Sequence, residues 1–349
     1  MTNEGRRGRD MTDLQRRHAD DPWPDVPGPK LTPSLPWRGG EGWIDRALGC
    51  VVGSAVGDAL GAPFEFGPSG AFSERFPKGS TENEMIGNHL WEPGEFTDDT
   101  QMAILEALAV LEARDVESAL PLAFSNFMQW KDSGPKDVGI STSAVLSNPA
   151  GFPTASTDYF YQNPGGAAGN GSLMRASFVA SRWSFSNYTG TIEIARKFSA
   201  VTHGDPAAGE GRALLQALVY WAVHGDTDIF TEPLEWAIGY LHEDHRDLYA
   251  SLTSDSPPMD LPNGTGWGCL RDAVLAVRRT ESFEDCMRMA CDVGDDVDTV
   301  AAVAGALAGA IYGLDTIPER WLERLHGDVL GVDYDTAAIT DLAKSMLDG

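Results

Sequence analysis

From Trp43 onward, apolar residues recur every three to four positions. Met102, Leu105, Leu108 and Leu111 form one stripe after Thr97, and Leu214, Leu215, Leu218, Val219 and Ala222 form another. That period places side chains on one face of a helix. The same reading predicts helices at about 117–130, 189–200, 231–245, 266–279, 281–292 and 299–313, with one more opening at Pro318. Alternation with a period of two, the mark of half-buried strands, is scarce. The expectation is one all-α domain over 41–349, its helices running through roughly 43–347 and packed on one another. Two irregular, glycine-rich stretches, about 66–96 and 148–172, interrupt it, and long loops in compact domains are often functional.

Residues 1–40 break the pattern. Pro22, Pro24, Pro27, Pro29, Pro33 and Pro36 follow an arginine-rich start. Such a composition favours extended, polyproline-like chain over a packed core. Trp23, Val26, Leu31, Leu35 and Trp37 are apolar pegs within it, so the arm reads either as a disordered tail or as a segment that docks on its own domain or on a partner.

Composition narrows the class. With 349 residues, 42% of them apolar, the chain can bury a large core. Its 52 acidic and 26 basic residues give a net charge of −26, which opposes nonspecific binding to nucleic-acid phosphates or anionic lipid. Most of these carboxylates read as solvated surface. The longest apolar run, Thr299 to Leu314, falls short of the ~20 residues of a membrane span. The N-terminus is polar, so no secretory signal is read. Cys50, Cys269, Cys286 and Cys291 are too few and too loosely spaced for a disulfide scaffold or a zinc site. A cytoplasmic protein with free, buried thiols and no membrane partner is expected.

Two acidic clusters carry candidate chemistry. Thr97-Asp98-Asp99-Thr100 enters one predicted helix, and Asp295-Asp296-Val297-Asp298-Thr299 enters another. Either alone is also an ordinary helix start, because Thr and Asp cap helix N-termini and first-turn acids suit the helix dipole. As a pair they offer hard oxygen ligands of the kind magnesium and manganese prefer. If the two ends meet, their carboxylates repel unless cations sit between them. Gly53, Gly57 and Gly61, spaced by four, suit close helix packing. Asp58 among them needs a donor or a cation if buried. Gly165 to Ser172 precedes a helix start near Leu173, where bare amides can cradle an anion, although a plain loop explains it as well. His203, in Thr202-His203-Gly204-Asp205-Pro206, joins two helices, and a turn residue is the simpler account of it.

Taken in order, these segments resemble the ADP-ribosylglycohydrolase family. The resemblance runs through Gly53 to Glu65, Pro93 to Met102, Gly169-Asn170-Gly171-Ser172-Leu173-Met174-Arg175, Thr202-His203 and Asp296-x-Asp298-Thr299, and covers about residues 44–330. It implies an all-α, orthogonal multi-helix fold with a dinuclear metal cleft holding two divalent cations, Mg²⁺ or Mn²⁺. By residue-level carry-over, Thr97, Asp98 and Asp99 bind metal from one side, and Asp296, Asp298 and Thr299 from the other. Glu65 matches a glutamate near the scissile bond, and Asp137 resembles a substrate-facing aspartate. Asn170, Gly171 and Ser172 look like the diphosphate loop, and His203 resembles a phosphate or ribose contact.

One departure stands out. The family's second metal motif has glycine where this chain has Asp295, which could add a carboxylate to the site or force a different local backbone. The function implied is hydrolysis of ADP-ribose from a modified protein side chain or another acceptor, by two-metal-assisted attack of water. A carboxylate would act as base, as in inverting glycosidases. Two other functions compete: a metal-dependent nucleotide phosphohydrolase, and a binding or immunity protein that neutralises an ADP-ribosyltransferase toxin through the 1–40 arm.

Overall fold

The computed structural model describes residues 42–163, 166, 168–184, 188–254 and 262–348. The 1–40 arm, with the toxin contact considered for it, and Gly165 and Ala167 of the glycine-rich loop lie outside the described residues. In chain order the helices are α1 (Trp43–Gly61), α2 (Ala71–Arg75), α3 (Asp98–Glu112), α4 (Val116–Asp132), α5 (Ile140–Leu146), α6 (Thr154–Gln162), α7 (Ser177–Trp183), α8 (Tyr188–Ala200), α9 (Pro206–Val223), α10 (Glu232–Gly239), α11 (Glu243–Ala250), α12 (Gly266–Arg278), α13 (Phe283–Ala290), α14 (Val297–Tyr312) and α15 (Glu319–Leu322). An antiparallel hairpin of β1 (His326–Val329) and β2 (Val332–Asp335) comes next, then α16 (Thr336–Asp348). Among the described residues the fold is all-α apart from that hairpin.

The central pair is α1 and α14, both almost wholly buried. Glycines four apart lie on one face of α1, and that face meets α14 backbone to backbone. Gly49 opposes Gly309, Gly53 opposes Gly305, Gly57 opposes Ala301 and Gly61 opposes Asp298, so the two helices run antiparallel. A Cβ on Gly53 would lie 2.5 Å from the Gly305 carbonyl oxygen, and one on Gly49 or Gly57 would lie closer still to the carbonyls of Gly309 and Ala301. Only glycine permits this approach. The consequence is positional: the end of α1, continuing through the 3₁₀ turn Ala62–Phe64 to Glu65, is set beside the start of α14, where Asp296 and Asp298 stand. By length and composition Trp43–Phe64 could cross a bilayer, but 89% of that window is buried inside the fold. Helices α9, α12 and α13 pack on α14, and α7 and α16 pack on α1. One continuous apolar core joins them.

The structure corrects the sequence reading at several points. The single helix expected over 231–245 is two, α10 and α11. At the break, Arg196 donates to the Tyr240 carbonyl at 3.0 Å and Arg246 to the Leu241 carbonyl at 2.8 Å, while the His242 amide donates to Glu210 at 3.2 Å. These partners satisfy backbone groups that a continuous helix would have paired internally. The helix opening at Pro318 lasts only Glu319–Leu322 before the hairpin, whose four-residue strands are too short to display alternation. Its turn residues Leu330 and Gly331 have φ of 55° and 82°, the conformation of a tight two-residue hairpin loop. The stretches expected to be irregular contain α2 and α6. The hairpin also ties down the approach to α3: Phe96 donates to His326 O and His326 to Gly94 O, both at 3.0 Å.

Candidate active site

Asp58 brings α3 to the central pair. It sits in the apolar run of α1, fully buried, and needs donors. Thr97 N donates to its two oxygens at 3.0 and 3.1 Å, Thr100 N donates at 3.1 Å and Thr100 Oγ1 at 2.6 Å. The donors are the otherwise unpaired groups of the α3 N-terminus, so a side chain of α1 caps a helix 39 residues further on. Burial still pushes the Asp58 pKa up to about 6, with the bonds from Thr100 and Thr97 opposing it.

This junction places Asp98 and Asp99 in the same cleft as Glu65, Asp296, Asp298 and Thr299. Carboxylate oxygens of Glu65, Asp296 and Asp298 all lie within 4.8 Å of one another. Asp99 Oδ2 and Asp298 Oδ1 are buried with no hydrogen-bond partner among the described residues. Hard oxygens so grouped, two of them unsatisfied, fit divalent cations. The helix-cap alternative holds for one residue: Thr97 Oγ1 accepts from Asp99 N at 3.3 Å, and Thr97 does not line the cleft. Asp296, at the N-cap of α14, makes no such side-chain cap bond. Its Oδ2 instead accepts from Asn170 Nδ2 at 2.8 Å, and its amide donates to Asn263 Oδ1 at 3.3 Å.

The electrostatics arise from this crowding. Burial raises Asp98, Asp99 and Asp298 well above the usual carboxylate range. Neighbouring carboxylates push in the same direction: Asp137 on Asp98, Asp58 on Asp99 and Asp296 on Asp298. Glu65 rises to about 7 through burial, then Asp137, Asp296 and Asp58. Without a cation the folded chain therefore holds protons that the unfolded chain has released. The cluster's contribution to stability is most favourable below the unfolded carboxylate values of about 4 and falls as pH rises through the folded values. For Asp58 and Glu65 the window runs up through about 6 and about 7, and Asp98, Asp99 and Asp298 shift in the same direction. Added Mg²⁺ or Mn²⁺ should thus raise the melting temperature of chelator-treated protein more at about pH 8 than at about pH 5. Equal increments at the two pH values would contradict the cluster's role as a cation site.

Gly169, Asn170, Gly171 and His203 complete the lining of the cleft. A Cβ on Gly171 would lie 2.9 Å from the His203 ring, so glycine is required for the loop to lie against the imidazole. Burial lowers the His203 pKa to about 3, with Arg175 and Arg212 adding to it, and the ring is neutral. Its Nδ1 lies 2.9 Å from Thr202 Oγ1. Ser172 takes a different position from its neighbours: it is fully buried, accepts from Ser199 Oγ at 2.8 Å and does not line the cleft. Asp137 does line it, its Oδ1 accepting from Val138 N at 2.8 Å. The cleft encloses about 330 Å³. A larger cavity of about 480 Å³ near Thr227, Arg278 and Tyr312 contains none of these residues.

Asp295 adopts φ 54°, a left-handed backbone that glycine favours and aspartate tolerates. It pairs with Gly67 across a short antiparallel bridge, and its own side chain is exposed. It does not line the cleft, and the backbone there takes the conformation a glycine would.

Sequence reasoning missed several residues. Asn263 orients Asp296, and nothing in its proline-rich neighbourhood marks it. Glu106 pairs with both Arg175 and Arg212. Its one signal is a charged side chain within the apolar stretch Met102 to Leu111. Phe66 and Ile140 line the cleft with no periodic signature.

Compared with known proteins, residues 40–348 match the family described as ADP-ribosylglycohydrolase. The ADP-ribosyl dinitrogen reductase glycohydrolase of Rhodospirillum rubrum is 29% identical over 80% of this chain and 90% of its own length. The ADP-ribosylarginine hydrolase Tri1 of Serratia proteamaculans (strain 568) is 27% identical over 81% of this chain and 75% of its own. A solved structure titled ADP-ribosylglycohydrolase-related protein complex superposes with a TM-score of 0.68 at 32% identity, covering 88% of this chain and 98% of that one.

Proposed function

The chain belongs to the ADP-ribosylglycohydrolase family, and from that premise we propose that it hydrolyses the bond between ADP-ribose and an arginine side chain of a modified protein. The observation that supports this most is the meeting of Glu65, Asp296 and Asp298 within 4.8 Å, in one cleft with Asp98, Asp99 and the Gly169–Gly171 loop. The arginine acceptor is supported by charge. Six carboxylates (Glu65, Asp98, Asp99, Asp137, Asp296 and Asp298) line the cleft, and among the described residues no lysine or arginine does. Four of the six are the proposed cation ligands, which leaves Glu65 and Asp137 to meet a cationic leaving group, and a relative 27% identical is named ADP-ribosylarginine hydrolase.

In this reading Asp98, Asp99, Asp296, Asp298 and Thr299 hold two divalent cations, Mg²⁺ or Mn²⁺, and Thr97 fixes Asp99 through the helix cap. When bound, such a pair supplies Lewis acidity and an anchor for ribose hydroxyls. Asn170 holds Asp296 in place. The Gly169–Gly171 main chain and the neutral His203 ring receive the diphosphate, which a protein N–H can bind without added charge. Glu65 takes one proton from water as the water oxygen bonds to the anomeric carbon. The carbon–nitrogen bond breaks and its electron pair leaves with the guanidine nitrogen. The group, cationic before cleavage, departs as neutral guanidine and takes up a proton from solvent, and Glu65 returns its proton to solvent. Asp137 faces the departing group.

The test is release of ADP-ribose from arginine-linked and serine-linked peptides, with and without divalent cation. Glu65→Gln is expected to bind ADP-ribose as the wild type does and to turn over about 10²–10⁴-fold more slowly. Wild-type turnover by that variant would remove Glu65 as the base. No release from the arginine-linked peptide by the wild type would remove the acceptor.

A further inference from the structure

Two side chains at the cleft mouth have no part in the proposed chemistry. Phe66 is 80% exposed and Ile140 is 87% exposed, whereas the next most exposed large apolar side chain among the described residues, Val332, is at 53%. Both line the same cleft, and Val332 does not. Phe66 is held firmly for so exposed a ring. Its backbone sits at φ 58°, its amide donates to Asp295 O at 2.6 Å, and Gly67 N donates to Phe64 O at 2.9 Å. The ring therefore stands beside Glu65 on a pinned turn. Ile140 opens α5, three residues beyond Asp137. Phe66 is the chain neighbour of Glu65 and Ile140 follows Asp137 by three residues, so each exposed side chain adjoins a cleft carboxylate that is not among the proposed cation ligands.

Resting on the arginine reading, we propose that Phe66 and Ile140 determine acceptor specificity by gripping the arginine side chain as it leaves the ribose. A guanidinium is planar and weakly hydrated, and it stacks on aromatic faces while its edge binds carboxylates. Phe66 offers the face, Glu65 and Asp137 offer the edge contacts, and Ile140 covers the aliphatic stem. A serine linkage has no plane to stack and no stem to cover.

Free ADP-ribose lacks the acceptor, and this separates the clamp from the rest of the site. Phe66→Ala is expected to lower kcat/KM on an arginine-linked peptide about 10-fold, mainly through KM. The Kd for ADP-ribose should stay within about twofold. Phe66→Tyr restores kcat/KM, and Ile140→Ala shows a smaller loss of the same kind. Unchanged kcat/KM in Phe66→Ala overturns the proposal while leaving the arginine reading intact. A parallel loss of ADP-ribose affinity also overturns it, because the ring would then contact the nucleotide. Wild-type release from the serine-linked peptide alone overturns both.

Discussion

Asp98→Asn combined with Asp298→Asn is expected to yield a protein that is more stable without metal and almost inactive with it. The two effects share one cause. Both carboxylates are buried among like charges: Asp137, Asp58 and Glu65 act on Asp98, and Asp296, Glu65, Asp58 and Asp98 act on Asp298. Asparagine keeps the shape and removes the charge, so the metal-free fold loses repulsion and its melting temperature in chelator rises at neutral pH. The same change strips oxygen ligands from both walls of the cleft, from α3 and from α14. Loss of the cation pair should lower ADP-ribose release by about 10³-fold or more, the scale on which electrostatic stabilisers act. Thermal melts in chelator, set beside turnover in Mg²⁺ or Mn²⁺, check it. A lower melting temperature, or activity above a tenth of wild type, would show that these aspartates are ordinary structural residues.

Glu106→Ala is expected to act in the opposite sense, as a large loss of stability from a residue outside the cleft. Its carboxylate is fully buried between two guanidiniums, with Arg175 Nε at 2.6 Å and Arg212 Nη2 at 2.5 Å. Those arginines reach onward to the main chain of the glycine-rich loop: Arg175 donates to Gly171 O at 2.6 Å and Arg212 to Ser172 O at 3.1 Å. Burial lowers Arg175 to about 10, partly offset by Glu106, so its guanidinium stays charged at neutral pH. Removing the carboxylate leaves two buried cations without compensation, a loss of about 3–5 kcal/mol. That is a large share of the ~5–15 kcal/mol by which a typical fold is stable. Urea unfolding measures it. Glu106→Gln keeps an acceptor and should lose less, and both variants should weaken ADP-ribose binding because the loop is no longer held. A shift in either direction below about 1 kcal/mol for the alanine variant would mean that the arginines find other partners.

How far the sequence revealed this molecule depended on whether the deciding contact was local. Helices α4, α8 and α12 were readable because their apolar period comes from burying one face, and α14 because it is a continuous buried apolar run. In α3 the stripe is buried at Met102 and Leu105 and exposed at Leu108 and Leu111. The break between α10 and α11 was not, because the groups that satisfy it come from Arg196 and Glu210, on other helices. The hairpin was missed because its strands are short and its turn carries leucine where asparagine is commoner. In the cleft, the carboxylates could be named from the chain but their meeting could not. That meeting rests on Asp58 capping α3 and on the glycine face between α1 and α14. Asn170 was expected to face substrate; it lines the cleft, and its side-chain amide also donates to Asp296, a contact the local sequence does not signal. Ser172 was expected in the diphosphate loop, and its hydroxyl turns into the core toward Ser199. Side-chain direction within a loop depends on what packs behind it, which the local sequence does not encode.

The glycine face has a further consequence for how this scaffold can be altered. Where two helices touch through main-chain atoms, their spacing has no side chain to lengthen or trim, and it behaves like a machinist's gauge block. Gly61 against Asp298 sits at the end of that block, so the floor of the pocket keeps its dimensions whatever is grafted around it. The rim is a separate part, assembled from the turn at 66 and the start of α5 at 140. Redesign of leaving-group preference can therefore be confined to those rim positions, with the ion-holding floor left untouched.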